Sequence, residues 1–235
     1  MLSKKECLAY DRLVKKYQSH IYPLIFFNTI NYLKYNVSDK LELLEVGTGN
    51  GYFSNQFIKK TNFQVYSIDI NEEMISIAKN NFPENAVNYI IDDAHFLNKI
   101  ADESKDLIIS YSCFHHWENP EIVIKTCLKK LNKGGVIVFF DTRPLNIEES
   151  KILQSTITEN EQKELLLKAS QEAWNIEKVE KVLLNKFENL HFNLDYFEPT
   201  AIDVASSIDE LDTMNKWENI ELSPTLWRLL ITKEN

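Results

Sequence analysis

The sequence predicts an α/β fold in which helices cover a mostly parallel sheet. Short apolar runs alternate with helical patterns between Leu41 and Arg143, and this alternation is typical of parallel strands joined by right-handed crossovers. The first run leads directly into a turn that contains three glycines. The chain has 235 residues, 44% of them hydrophobic, so it can bury a full core as one domain. We expect any ligand to bind at the carboxyl edge of the sheet.

The segment before the first strand is predicted to be helical. Within residues 1–36, apolar and aromatic side chains recur at helical spacing, so one or two helices are expected to cap the core. The longest apolar run, Ile21 to Ile30, is interrupted by Pro23 and polar residues and is too short to span a bilayer. No apolar run near the start resembles a signal peptide. We therefore expect a cytoplasmic protein that has no membrane partner.

Residues 37–143 are predicted to form the core of alternating strands and helices. Asn71 is a suitable cap for one helix, and Pro120 stands near the first turn of another. A glycine turn at Gly134 and Gly135 is expected to lead into the fifth strand. The predicted strands end at Val46, Asp69, Ile91, Ser110 and Asp141. Asn55 to Lys60 is predicted to end a helix that follows the first glycine turn, and the other predicted helices are Glu72 to Asn81 and Pro120 to Leu131.

Residues 144–235 show a different pattern, which we interpret as a variable part of the same single domain, 1–235. Charged stretches with regularly spaced leucines predict helices, and two later apolar stretches predict closing strands. The acidic stretch from Ser206 to Ser223 predicts a solvated loop or a short helix. The predicted helices are Glu148 to Leu153 and Glu159 to Asn185, and the predicted strands are Leu190 to Phe197 and Leu226 to Thr232.

The glycine turn indicates a nucleoside pocket. Gly47, Gly49 and Gly51 stand at alternate positions, which lets the backbone turn tightly and approach a ligand closely. The helix that follows directs free N–H groups toward an anionic part of the ligand. Asp69, at the end of the second strand, is placed to accept hydrogen bonds from both ribose hydroxyls. An NAD fingerprint would need a glycine where Tyr52 stands, so a dinucleotide site is not predicted.

The motif Glu45-x-Gly47-x-Gly49-x-Gly51 resembles the first motif of the class I S-adenosylmethionine-dependent methyltransferases. The later strands and their acids follow in the order of that family, and over 41–143 they resemble its small-molecule, type 11-like members. The resemblance implies a Rossmann-like sheet of seven mostly parallel strands with helices on both faces. It also implies an N-terminal helical cap, a helical insertion after the fifth strand, and S-adenosyl-L-methionine as cofactor.

The resemblance also implies roles for individual residues. Glu45 would lie beneath the methionine amino end of the cofactor, and Asp69 would bind the ribose. Asp93 is the first candidate for the adenine amino group, and Asp92 is the alternative. The complete set implied to line the cofactor is Glu45, Gly47, Thr48, Gly49, Gly51, Asp69, Ile70, Asp92, Asp93, Ala94 and Ser110.

The activity implied is transfer of a methyl group to an O, N or C atom of a small-molecule acceptor by in-line displacement. Such a reaction needs mainly proximity and orientation from the protein. Two other classes of function stay open. One is an enzyme that binds S-adenosylmethionine for chemistry other than methyl transfer, and the other is a non-catalytic binding partner.

A histidine pair follows the fourth strand. Imidazole titrates near neutral pH, so His115 or His116 could act as a general base, with His116 preferred because it lies farther from the strand end. The alternative is that the pair only shapes the pocket. Paired histidines before an aromatic residue are frequent in the family that the chain resembles, across unlike substrates, which favours this second interpretation.

Candidate acceptor-binding residues come from three parts of the chain. Besides His116, Tyr10 and Tyr17 of the N-terminal helices are candidates, although tyrosines at helical spacing are commonly packing residues. Arg143 could bind an acceptor carboxylate or phosphate, or it could pair with a nearby acid such as Glu149. Trp174 and Trp217, which could stack on an acceptor or anchor a helix, lie in the part least like the family.

Charge and cysteine content argue against several partners. The formal net charge is −9, with 26 Lys and Arg against 35 Asp and Glu, and no basic stripe is present, so a nucleic-acid partner is not expected. Cys7, Cys113 and Cys127 lack metal-binding spacing and suit a reducing compartment, so no metal is predicted. The expected assembly is a monomer or a homodimer.

Overall fold

A computed structural model describes residues 2–84, 86–188, 190–213 and 226–234. The strands are β1 (Glu42–Val46), β2 (Gln64–Asp69), β3 (Asn88–Ile91), β4 (Lys105–Tyr111), β5 (Leu131–Thr142), β6 (Phe192–Phe197) and β7 (Leu226–Thr232). They form one seven-stranded sheet in the order β3-β2-β1-β4-β5-β7-β6. Strands β1 to β5 pair in parallel, and β7 runs antiparallel to both β5 and β6. The predicted Rossmann-like fold class is confirmed.

The helices follow the predicted alternation with the strands. A short 3-10 turn, Phe114–His116, follows β4. Within the described ranges, no helix is both long enough and apolar enough to cross a membrane. The helices are α1 (Lys4–Leu13), α2 (Ile21–Leu33), α3 (Tyr52–Lys60), α4 (Glu72–Asn81), α5 (Pro120–Lys130), α6 (Ile147–Thr156), α7 (Asn160–Glu172), α8 (Ile176–Lys186) and α9 (Ala201–Thr213).

Two apolar clusters cover the two faces of the sheet. One cluster contains aromatic side chains of α2 and α3, and the other contains Phe114 and Trp227, whose ring centroids lie 5.0 Å apart. The adjacent residues Phe139 and Phe140 of β5 belong to different clusters, because successive strand residues point to opposite faces. The sheet is therefore buried on both sides, and its strand ends remain as the place for a ligand.

One buried carboxylate ties the N-terminal cap to the core. Asp11 of α1 accepts hydrogen bonds through Oδ1 from Nδ2 of Asn50 at 3.1 Å and from Nδ2 of Asn81 at 2.9 Å. Its Oδ2 accepts from Nζ of Lys15 at 2.7 Å. Asn50 belongs to the glycine turn and Asn81 ends α4, so α1 is held against two elements of the predicted cofactor site.

The predicted glycine turn before the fifth strand is wrong as a separate element. β5 begins at Leu131, and the glycines form an irregular part of the strand itself, where the partner register jumps from Lys105–Leu131 to Leu107–Val136. Gly134 has a φ of +73°, which lets the strand bulge at this point.

The C-terminal helices also differ from prediction. The expected helix from Glu159 to Asn185 is interrupted after Glu172, because Oδ1 of Asn175 caps a new helix by accepting the N–H of Lys178 at 3.0 Å. The acidic stretch begins inside α9, a helix of 13 residues rather than a short one. The remainder of that stretch, including Trp217, lies outside the described residues.

Candidate active site

The glycine turn lies at the carboxyl end of β1. Gly47, Gly49 and Gly51 have φ values of +75°, +53° and +85°, in the left-handed region where a side chain is strained. The N–H of Gly47 donates to the carbonyl oxygen of Ile68 at 2.9 Å, which attaches the turn to β2. Backbone conformation therefore favours glycine at all three positions, whatever they contact.

The three glycines differ in what surrounds them. A Cβ on Gly47 would lie 2.2 Å from Sγ of Cys113, and one on Gly51 would lie 3.0 Å from an atom of α4. A Cβ on Gly49 would meet nothing closer than an atom of Tyr10 at 3.5 Å. Protein atoms would thus clash with a Cβ at the outer two glycines, whereas a Cβ on Gly49 would make only ordinary van der Waals contact with Tyr10.

Asp69 joins the end of β2 to the glycine turn. Its Oδ2 accepts the N–H of Gly49 at 2.9 Å, and its Oδ1 accepts the N–H of Asn71 at 2.8 Å. Burial raises the pKa of Asp69. Its carboxylate is fixed beside Gly49, as the sequence predicts, whereas the next residue, Ile70, has an exposed side chain.

Glu45 is buried beneath the same turn. Its Oε2 accepts from Oγ1 of Thr48 at 2.7 Å and from Oγ of Ser67 at 3.2 Å. Burial raises the pKa of Glu45 to about 7, although these hydroxyl hydrogen bonds oppose the shift. A cationic group placed next to it would favour the ionised form. Ser110, also predicted to line the cofactor, instead donates a buried hydrogen bond to the carbonyl oxygen of Val46 at 2.7 Å.

The two acids after β3 are engaged in local turns. Asp92 accepts the N–H of Asp93 at 2.9 Å and the N–H of Lys99 at 2.8 Å, and its own N–H donates to the carbonyl oxygen of Asp69 at 3.1 Å. Oδ1 of Asp93 accepts the N–H of His95 at 2.9 Å. The backbone of Asp92 is therefore hydrogen-bonded to Asp69 at the end of β2. The neighbouring Ala94 packs on an apolar cluster.

The two candidate tyrosines occupy different places. Tyr10 lies beside the glycine turn, and burial holds the pKa of its hydroxyl well above the usual range. Tyr17 packs instead with Leu13 and Ile157, in a separate apolar cluster between α1 and the end of α6. Only Tyr10 is thus brought to the predicted cofactor site.

His115 is buried and bound to the end of β5. Its N–H donates to Oδ2 of Asp141 at 3.0 Å, and its ring Nδ1 lies 2.7 Å from Oδ1. Burial lowers the pKa of His115, but the charge of Asp141 and this hydrogen bond outweigh burial, so the pKa is raised. The carboxylate places the ring proton on Nδ1. Nε2 is buried and has no hydrogen-bond partner among the described residues.

His116 lies against His115 and is half exposed. The two ring centroids are 3.9 Å apart, and Nδ1 of His116 lies 3.3 Å from Oε2 of Glu172, the last residue of α7. Burial, together with the neighbouring His115, lowers the pKa of His116 to about 4. The exposed histidine that the sequence favours as a base is therefore a neutral imidazole near neutral pH.

Two of the remaining candidates contact other side chains. The guanidinium of Arg143 binds the carboxylate of Glu149 with both Nη atoms, one of them at 3.0 Å, which is the ion pair considered as the alternative. Trp174 accepts a hydrogen bond at its carbonyl oxygen from Nε1 of Trp227 at 2.9 Å and packs on Phe114. Trp174 thus anchors the segment after α7 to the core.

Two partners at this edge were not predicted. Asp141, at the end of β5, binds His115. Glu172, at the end of α7, approaches His116. Both partners are distant in sequence from the histidines, and no local pattern marks them.

Comparison with known proteins identifies the core of the chain. Residues 44–139 match the family described as "Methyltransferase domain". Uncharacterized methyltransferases of Bacillus mycoides (strain KBAB4) and Bacillus thuringiensis (strain Al Hakam) are each 36% identical over 102 residues. The alignment covers 43% of this chain and 46% of each relative, so the chain spans less than half the length of these curated relatives.

Solved structures resemble nearly the whole chain. The plantazolicin methyltransferase BamL, in complex with a triazolic desmethylPZN analogue and SAH, has a TM-score of 0.73 at 18% identity and covers 97% of this chain and 90% of its own. A SAM-dependent methyltransferase from Aquifex aeolicus has a TM-score of 0.62 at 12% identity and covers 99% of both chains. At these identities the likeness shows the fold.

Proposed function

We propose, on the premise that residues 44–139 are a domain of the class I S-adenosylmethionine-dependent methyltransferase family, that this chain transfers a methyl group to a small-molecule acceptor. S-adenosyl-L-methionine is the cofactor of that family. The observation that carries the proposal is at Gly49, whose N–H holds the carboxylate of Asp69 at 2.9 Å and so fixes this acid at the carboxyl edge of the sheet.

The residues present fit this cofactor. Each carboxylate oxygen of Asp69 accepts one backbone N–H, and since such an oxygen has two lone pairs, each can still accept a ribose hydroxyl. Glu45 is a buried carboxyl group with a raised pKa, and it would become ionised beside the cationic methionine end.

The remaining cofactor contacts follow from the same edge. The backbone N–H of Asp92 donates to the carbonyl oxygen of Asp69, which supports a place for Asp92 or Asp93 at the adenine end of the cofactor. The hydroxyl of Thr48 donates a hydrogen bond to the carboxylate of Glu45 and so fixes its orientation. These residues bind and orient the cofactor, and none of them is asked to perform covalent chemistry.

When bound, the cofactor supplies a methyl group on a sulfonium leaving group. The task of the chain is then to hold the acceptor atom in line, and well-oriented systems gain up to about 7–11 kcal/mol from such positioning. We assign the histidine pair to shaping this space rather than to removing a proton. Nδ1 of His115 is occupied by Asp141, and Nδ1 of His116 faces Glu172, so both rings are held by carboxylates.

The acceptor is proposed to be a small molecule that binds between α1 and the histidine loop. Tyr10 lies beside Gly49, and the loop that carries His116 begins at Cys113, which lies over Gly47. Arg143 is engaged by Glu149, and Tyr17 packs elsewhere, so we place neither against the acceptor. The acceptor atom is O, N or C.

Incubation of the purified chain with methyl-labelled S-adenosyl-L-methionine and a panel of small hydroxyl, amine and carbon acid compounds tests the proposal. We expect S-adenosylhomocysteine and a methylated product in equal amounts, and less of both from the Asp69→Ala variant at cofactor concentrations near the wild-type Kd. S-adenosylhomocysteine without a methylated product would indicate other chemistry. A failure of the wild type to bind the cofactor would contradict the proposal.

A further inference from the structure

The histidine edge of the sheet contains a set of donor atoms that the proposed methyl transfer does not use. His115, His116 and Glu172 each present one ligand atom, and these three atoms lie within 4.8 Å of one another. The set joins two elements, because the histidines follow β4 and Glu172 ends α7. We infer that this histidine-glutamate cluster is a binding site for a divalent transition-metal ion, of the kind that Zn²⁺ or Co²⁺ occupies.

The strongest observation is the orphaned nitrogen of His115. Its side chain is 1% exposed, and Nε2 has no hydrogen-bond partner among the described residues. A buried polar atom without a partner destabilises the fold, so such an atom calls for an explanation. Nδ1 carries the proton toward Asp141, hence Nε2 offers a lone pair, and a metal ion can accept that lone pair.

The hydrogen bonds between His115 and Asp141 have the form found at metal-binding histidines. A ligating imidazole commonly donates its other N–H to a carboxylate, which fixes the tautomer and makes the ligand nitrogen more basic. Asp141 makes this hydrogen bond to His115 at 2.7 Å, and its other oxygen accepts the backbone N–H of the same residue at 3.0 Å. The ring of His115 is therefore held in one orientation.

The other two donors have a separation that suits an ion. Nδ1 of His116 and Oε2 of Glu172 lie 3.3 Å apart. Two ligands of a tetrahedral Zn²⁺, each about 2.0–2.2 Å from the ion, are separated by about 3.3–3.6 Å. His116 and Glu172 are 49% and 39% exposed, so an ion can enter from solvent, and their side chains can close on it.

The groups around the three proposed ligands do not block a metal ion. The ring centroids of His115 and His116 lie 3.9 Å apart and Nε2 of His115 is buried, so the space at that nitrogen suits a small ion better than a substrate. Nζ of Lys168 lies 3.9 Å from Oε1 of Glu172, but its side chain is 57% exposed and can turn away. Two imidazoles and one carboxylate suit a borderline divalent ion, with a fourth position left for water.

Spectroscopic titration of the full chain with Co²⁺, after dialysis against a chelator and without S-adenosyl-L-methionine, tests the inference. We expect one equivalent to bind with the intense visible bands of a four-coordinate ion, and one equivalent of Zn²⁺ to displace it. His116→Gln and Glu172→Gln should each lose these bands. Both positions are partly exposed, so these variants are expected to fold.

The matched control is His191→Gln. His191 also faces a glutamate, with Nε2 3.0 Å from Oε1 of Glu234, but both side chains are 74% exposed and neither belongs to the cluster. This variant should keep the Co²⁺ spectrum. Asp141→Asn changes the partner of His115 but none of the three proposed ligands. It should weaken Co²⁺ binding by about 10- to 100-fold while the bands keep their shape.

Three results would overturn the inference. The first is the absence of stoichiometric binding by the wild type, and the second is equal loss of the spectrum in His191→Gln and Glu172→Gln. A thiolate-to-cobalt band would show that cysteine holds the ion instead and would also overturn it. Cofactor binding is measured separately by calorimetry without metal, so failure of the metal site leaves the proposed methyl transfer standing.

Discussion

The carboxyl edge of the sheet has two halves that satisfy their charges differently. After β1 and β2, in the glycine half, the carboxylate of Asp69 accepts backbone N–H groups at 2.8 and 2.9 Å. After β4 and β5, in the histidine half, Asp141 also accepts backbone N–H groups, but its carboxylate and that of Glu172 face imidazole rings as well. Backbone donors hold a charge in one fixed place, whereas imidazole rings leave a second nitrogen available for another partner.

This difference explains why the two halves suit different tasks. The glycine half is a rigid frame, because its geometry follows from positive φ angles and backbone hydrogen bonds. Such a frame fits a cofactor of fixed shape. The histidine half presents side-chain nitrogen and oxygen atoms, including the orphaned Nε2 of His115, and can bind or position a variable group.

The largest expected effect separates two glycines of the same turn. Gly47→Val should destabilise the fold by about 2–5 kcal/mol, because a Cβ would lie 2.2 Å from Sγ of Cys113 and the residue has a positive φ. Gly49→Val should cost less, about 1–2 kcal/mol from its φ, because a Cβ there would only touch Tyr10 at 3.5 Å, and it should abolish cofactor binding by placing a branched side chain where the cofactor would approach the backbone. Thermal unfolding and calorimetric titration measure the two effects. Normal turnover by Gly49→Val would contradict the assignment of the turn.

A pH-dependent effect is expected at Glu45. Burial raises its pKa from 4.5 to about 7, so the folded protein keeps a proton that the unfolded chain has already released. The free energy of unfolding should therefore fall as pH rises from about 4.5 to about 7, by up to about 3 kcal/mol. Glu45→Gln cannot titrate, so its stability relative to the wild type should rise through this window. Denaturant titrations at both ends of the window measure it, and a pH-independent difference between the two proteins would disprove the role of burial.

A smaller effect is expected at His116. If it shapes the pocket, His116→Ala should lower kcat by less than the roughly 100- to 10,000-fold expected for loss of a general base, and part of the loss should appear in KM. His116→Gln should retain more activity, because its amide can replace one imidazole hydrogen bond. A loss of several thousandfold in both variants, about the size expected for proton-transfer catalysis, would instead place His116 in the chemistry.

The smallest effect is expected at Arg143. Its ion pair with Glu149 is partly exposed, with side chains 23% and 31% exposed, so Arg143→Gln should change stability by no more than about 1 kcal/mol. KM for the acceptor should stay unchanged. A large rise in KM with unchanged stability would return Arg143 to the acceptor site.

The glycine half could be predicted from sequence because its parts are local. Gly47, Gly49 and Glu45 lie within one turn, and Asp69 ends the next strand, so order along the chain and the alternation of strands place them together. The capping role of Asn71 was equally local, and its Oδ1 accepts the N–H of Glu73 at 3.0 Å.

The histidine half could not be predicted because its partners come from distant elements. Asp141 is 26 residues from His115, and Glu172 ends a helix whose docking depends on tertiary packing. The glycines near the start of β5 show the same limit. Gly134 is typical of a turn in the sequence, but in the structure it lies in an irregular part of β5 where the pairing with β4 changes register. The local conformational preference of a segment does not determine its register with a neighbouring strand.

Calorimetric titration of S-adenosyl-L-methionine into Asp69→Ala and Glu172→Gln, beside the wild type, tests the division of the edge most directly. The division predicts that Asp69→Ala weakens binding by about 1.5–3 kcal/mol, roughly 10- to 150-fold, because hydrogen bonds to a charged group are lost. Glu172→Gln should bind as tightly as the wild type. Unchanged affinity in Asp69→Ala, or an equal loss in Glu172→Gln, would contradict it.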